Sequence, residues 1–189
     1  MVPEWTLWMM EALEERGLAG SLFLWSDDNL SNRYLWNYLT EEQRLFMSRF
    51  PKYARVGCFK GFDEQSFSLN TSAEPSLFGR QFEIMRDLIR EGFDVYAYAT
   101  FTSEPHSNIA PAMSRFVDRL QELDVRLPLR TVPLKIEVLT PTKERVKTKH
   151  ETALKVQHEA HDAWLSEIRK RFTEQEASAP INQIPLGRR

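Results

Sequence analysis

The sequence predicts an α/β fold, an incomplete (β/α) barrel of about four to five parallel strands with a C-terminal helix. Three observations predict it. Helical and strand-like segments alternate from residue 4 to residue 138. Three apolar runs each stop on a polar cluster: Leu22–Trp25 on Ser26-Asp27-Asp28-Asn29, Ala54–Phe59 on Lys60-Gly61, and Val95–Ala99 on Thr100-Phe101-Thr102. A fourth run, Leu129 to Ile136, carries Lys135 near its end. Parallel β/α architectures bind ligands at the carboxyl ends of their strands, so these clusters mark where a site belongs.

Each element has a local reason. Trp5, Trp8, Met9, Ala12 and Leu13 recur at helical spacing over residues 4–16, and Gly17 offers a left-handed stop. The first strand follows at Leu22–Trp25. Asn29 and Ser31 are turn or N-cap residues before a helical stretch over 32–49, with a break expected near Thr40. Pro51 leads into the second strand. Residues 61–75 read as irregular, with a short helical turn at Asp63–Phe67. Pro75 precedes a strong helix over 76–91, with the stripe Leu77, Phe78, Phe82, Ile84, Met85, Leu88 and Ile89, closed by Gly92. The third strand spans 94–100. The loop Ser103–Ser107 leads to a helix over 109–123 with Pro111 in its first turn. The fourth strand lies within 128–138, where Pro133 predicts an edge position or a bulge.

The alternation implies right-handed βαβ units, and four strands are too few to close an eight-stranded barrel. The domain expectation is a partial barrel over 1–142, a surface helix over 143–176 and an extended tail over 177–189. Trp164 is the expected docking anchor of that long polar helix, on a thin stripe with Val146, Ala153, Val156, Ala160, Ala163, Ile168 and Phe172.

Composition narrows the classes. The chain has 189 residues, 42% hydrophobic, with net charge −2. A chain this long buries roughly 70% of its unfolded surface, enough for a real core. The charge balance gives no pull toward nucleic acid or anionic membrane. No apolar run approaches the ~20 residues of a membrane helix, and the N-terminus lacks a signal-peptide pattern. Cys58 is the single cysteine, which excludes an internal disulfide and an all-cysteine metal site within this sequence. A cytoplasmic protein is expected.

Among residues that carry chemistry, Asp27 and Asn29 are the stronger ligand candidates at the first strand end, and Asp28 the weaker; all three also suit a cap or turn. Lys60 suits pairing with a carboxylate or phosphate. Thr100 and Thr102 offer hydroxyls, against ordinary β-propensity. Lys135 shares its strand end with Pro133. Glu104 and His106 lie in a polar loop. His158 and His161 stand three apart on a helix with no third ligand, which reads as a solvent-facing helix. Cys58 reads as a buried thiol.

Two stretches carry a family resemblance. Val56-Gly57-Cys58-Phe59-Lys60-Gly61-Phe62-Asp63-Glu64-Gln65-Ser66-Phe67, followed by Phe82 through Tyr96, resembles the later strands of radical S-adenosylmethionine (SAM) enzymes: a strand ending in Lys-Gly, an Asp-Glu, then a helix ending in Gly before the next strand. Ser26–Asn29 stands at the family's Thr-Asn-Gly-like strand end, and Gln157–Phe172 is similar to the tail helix of some members. The resemblance covers roughly residues 5–172. It implies SAM as cofactor, a four-iron four-sulfur cluster, and hydrogen abstraction by a 5′-deoxyadenosyl radical, with Asp27, Asn29, Lys60, Thr100 and Thr102 contacting SAM or substrate. The family's CxxxCxxC cluster motif is absent. Met1-Val2-Pro3-Glu4 stands where its glycine-rich GGE segment falls, with only Pro3 and Glu4 echoing it. The first strand and most of the second are therefore expected to be missing, and the cluster to come from another segment or a partner chain that completes the barrel.

Two other readings compete. The chain is a truncated or split-barrel subunit that binds a partner, with Trp5, Leu7 and Trp8 at an exposed seam. Or it is an unrelated β/α enzyme that uses Asp27 and Lys60 directly. The substrate, small molecule or peptide, is not legible.

Overall fold

The computed structural model describes residues 2, 4–105, 108–137 and 148–187. The elements in chain order are α1 (Trp5–Glu15), β1 (Leu24–Asp28), α2 (Tyr34–Tyr38), α3 (Glu41–Arg49), β2 (Tyr53–Lys60), α4 (Glu64–Thr71), α5 (Phe78–Arg90), β3 (Val95–Thr100), α6 (Ile109–Leu123), β4 (Thr131–Leu134), α7 (Thr148–Arg171) and α8 (Glu174–Ala177). The strands form one all-parallel sheet in the order β1-β2-β3-β4, consistent with an incomplete α/β barrel. β1 and β4 are its edges. Pro133 sits in β4 opposite Ala99, the edge placement that a residue without an N–H requires.

The chain forms two interleaved compact units. The first comprises residues 1–58 and 80–96. Its core includes Met10, Leu35, Met47, Val56, Ile84 and Leu88, all fully buried. The break between α2 and α3 falls where expected. Leu39 is extended, and Thr40 opens α3 with a capping box: its hydroxyl accepts from the Gln43 N–H, and the Gln43 side chain accepts from the Thr40 N–H. Glu91 ties α2 and α3 to the end of α5, accepting from Trp36 Nε1 at 2.7 Å and from Arg44 Nε at 3.0 Å. The Arg55 N–H donates to the Asp94 carbonyl at 2.8 Å.

The second unit comprises residues 59–79 and 97–189. An aromatic cluster makes its core. Phe101 meets Phe62, Phe116, His161 and Trp164 with ring centroids 5.4–6.2 Å apart. Trp164 is the anchor its position predicts, 3% exposed. α7 packs mainly on α6, and its buried stripe carries two polar residues, Gln157 and Glu167. Gln157 clasps the Ile136 backbone, accepting from its N–H at 2.8 Å and donating to its carbonyl at 3.1 Å.

Four expectations need correction. The first strand is not Leu22–Trp25: it runs Leu24–Asp28, so Ser26, Asp27 and Asp28 lie inside it. The apolar run misled because Leu22 and Phe23 are exposed. Residues 61–75 are not irregular: they hold α4, an eight-residue helix capped by Asp63, whose carboxylate accepts from the Ser66 N–H. Leu7 is buried, whereas Trp5 and Trp8 beside it are exposed, because only one face of α1 is covered. The tail is not wholly extended: α8 runs to Ala177, a 3₁₀ turn spans Ile181–Gln183, and Ile184 is buried. The expected boundary at 142/143, Val146 and His106 lie outside the described residues.

Candidate functional site

β1 and β2 pair in parallel with Ser26 opposite Arg55 and Asp28 opposite Gly57. Strand alternation therefore puts Ser26, Asp28, Tyr53 and Arg55 on one face. That face is buried, and it holds a charged cluster of which the sequence marked only Asp28, as the weaker candidate. Arg55 is 1% exposed. Its Nη2 donates to Asp28 Oδ2 at 2.8 Å. Its Nη1 donates to the Tyr53 hydroxyl at 3.0 Å and to Ser26 Oγ at 3.3 Å. The two hydroxyls share a hydrogen bond of 2.6 Å. The guanidinium also lies 5.4 Å from the centre of the Tyr34 ring, from α2. Burial pushes the Tyr53 phenol far above the ordinary tyrosine range; the Ser26 hydrogen bond opposes this and the Asp28 charge adds to it. Tyr53 therefore stays neutral.

Asp28 also shapes the loop beyond the strand. Its Oδ1 accepts from the Leu30 N–H at 2.7 Å, an Asx turn across Asn29. Leu30 has φ +51°, unusual for leucine, and is buried. It fits because residue 57 is glycine: a Cβ there would stand 3.2 Å from both Leu30 methyl carbons.

The five ligand candidates divide between the units. Asp27 and Asn29 belong to the first, and both are exposed. Asp27 faces away from the Asp28–Arg55 cluster by strand alternation. Lys60, Thr100 and Thr102 belong to the second. Lys60 ends β2 and is half-exposed; Thr100 ends β3 and is buried. The Thr102 hydroxyl donates to Asn70 Oδ1, and Asn70 Nδ2 donates back to the Thr102 carbonyl at 2.9 Å. Gly61 lets the chain turn sharply after Lys60: its φ is +106°, and a Cβ would stand 2.5 Å from the Phe67 nitrogen.

The other candidates are placed as follows. Lys135 is exposed and pairs with Glu137 at 3.4 Å. Cys58 is buried in β2, Glu104 and His158 are exposed, and His161 Nε2 lies 3.4 Å from the Leu134 carbonyl. Elsewhere in the first unit, an open groove of about 690 Å³ runs between α1 and α3, floored by Leu7 and Phe46 and rimmed by Glu11, Glu14, Glu15 and Glu42.

Among the described residues no group of three His, Cys, Asp or Glu side chains could hold a metal ion. With Cys58 the sequence's one cysteine, this donor set does not fit an iron–sulfur cluster. No helix among them is long and apolar enough to cross a membrane. No family model matches the chain, and no curated protein or solved structure is significantly similar to it.

Arg55 and Asp28 were findable in principle. An arginine in the middle of an apolar strand requires a buried partner. Ala54-Arg55-Val56 and Ser26-Asp27-Asp28 supply the two halves, but only the register identifies Asp28 as the partner.

Proposed function

We propose that the chain is the later part of a radical SAM-type barrel, completed along its β1 edge by another polypeptide. One observation carries this reading: a four-stranded parallel sheet has at one edge a strand flanked by exposed apolar side chains. Phe23 is 60% exposed and Trp25 39%. The motifs at Lys60-Gly61 and at Phe82–Tyr96 support the family assignment. In this reading the chain supplies barrel wall, and Asp27, Asn29, Lys60, Thr100 and Thr102 bind and orient SAM or substrate from the strand ends. The completing segment supplies the cluster. The protein works in the cytoplasm, which its single cysteine supports.

A second reading is a non-catalytic split-barrel subunit that binds a protein partner. The exposed Trp5, Trp8 and Met9 on α1 favour it, because apolar side chains grouped on one surface mark interfaces.

One experiment separates them. A photo-crosslinking amino acid replaces Phe23, with Leu165 on α7 as the control position. The captured chain is sequenced and co-purified with this one. The barrel reading expects a partner with three cysteines at CxxxCxxC spacing and a brown complex that binds SAM. A partner without those cysteines, in a complex lacking both iron and SAM affinity, overturns it in favour of the binding subunit.

A further inference from the structure

We propose that Arg55 and Asp28 are positioning residues: a buried ion pair that holds the turn after β1, and so places Asp27 and Asn29 from beneath. The proposal rests on the barrel reading only for what those two side chains meet, not for how they are held.

The pair is a poor choice for stability alone. Burying two charges carries a desolvation penalty, and apolar residues of similar volume are often as stable. Its geometry points to another task. Asp28 divides its two oxygens, one to Arg55 and one to the Leu30 N–H. The guanidinium is fixed by the Tyr53 and Ser26 hydroxyls and by the Tyr34 ring. A planar fork held at several points orients the carboxylate, and the carboxylate orients the turn.

The turn needs that hold. Leu30 adopts a left-handed backbone that disfavours leucine and most other residues with a β-carbon. A free turn here would favour glycine or asparagine. The sequence instead buries a leucine against Gly57 and caps its amide with a charged acceptor. Backbone strain of this kind persists where the surroundings over-determine it. The result is a fixed exit from β1: Asp27 on the opposite strand face and Asn29 at the turn, both exposed.

Amide hydrogen exchange on the isolated chain tests this, comparing the natural protein with R55M, R55K and D28N at one pH. Lysine in R55K keeps the charge but not the fork. In each folded variant the Leu30 amide is expected to exchange roughly tenfold faster or more, relative to Val56 in β2 and Met47 in α3. Leu30 exchanging only in step with Val56 and Met47, or unchanged, overturns the proposal, because a merely structural pair loosens the unit as a whole. If R55M does not fold, R55K and D28N decide. No ligand or partner enters the measurement, so failure of the barrel reading and failure of the latch are read separately.

Discussion

At the scale of single residues, neighbours in β1 have opposite fates. Asp28 is buried against Arg55 and Asp27 is exposed. Removing one partner of a buried pair leaves an uncompensated charge, which costs about 3–5 kcal/mol. Asp28→Ala is therefore expected to lower the urea midpoint sharply, whereas Asp27→Ala stays within about 0.5 kcal/mol of the natural chain. A larger loss for Asp27→Ala than for Asp28→Ala would show that β1 has the other register. Gly61 gives a second prediction from backbone alone. Its φ of +106° and the 2.5 Å approach of the Phe67 nitrogen leave no space for a side chain. Gly61→Ala should cost roughly 1–3 kcal/mol by the same measurement. A glycine at that position was visible in the sequence, but the reason for it was not. The reason is α4, which the sequence hid because its stretch Glu64–Thr71 carries only two large apolar residues, Phe67 and Leu69.

At the scale of elements, sequence spacing worked where a helix had one clear apolar stripe and failed where polar residues do the packing. The range 109–123 for α6 matches Ile109–Leu123, since Ile109, Met113, Phe116 and Leu120 repeat at helical spacing. β1 was misplaced because its buried face is Ser26 and Asp28, and no hydropathy pattern marks those as interior. α7 holds the same lesson. Its stripe of Ala153, Val156, Ala160 and Trp164 was legible, while the buried Glu167 was not. Burial alone raises the Glu167 pKa, but hydrogen bonds from Lys170, Arg171 and Ser114 outweigh it and hold the carboxyl below the ordinary glutamate range. A carboxyl depressed in the folded state contributes stability above its unfolded pKa and loses it as the pH falls through the folded value. The clamp between α6 and α7 is therefore expected to weaken on acidification below about pH 5. Glu167→Gln should remove this part of the acid dependence, so that denaturant midpoints of variant and natural chain converge as the pH falls. Parallel curves would exclude Glu167 as the source.

At the scale of the whole molecule, the α/β class and the parallel order followed from alternation alone, since each strand–helix–strand step returns the chain in the same direction. The division into two interleaved units did not, because it depends on which side chains cluster and not on where the chain runs. The same limit applies to the exposed apolar residues of the first unit. Sequence spacing put Trp8 on an apolar helix face, which the partner-binding reading leaves at an exposed seam, and Phe23 in a strand; the structure leaves them 55% and 60% exposed. Large side chains so placed stabilise the isolated chain little, because they leave water only when something covers them. If they serve a partner, polar replacement should be nearly silent in the fold and decisive in association. Trp8→Glu combined with Phe23→Glu is expected to leave the urea midpoint within about 0.5 kcal/mol per site. It should also abolish binding of the chain captured through position 23 and reduce the concentration-dependent light scattering of the isolated protein. Loss of several kcal/mol would instead mean that both side chains already pack within the first unit. Association would then have to be sought on another surface.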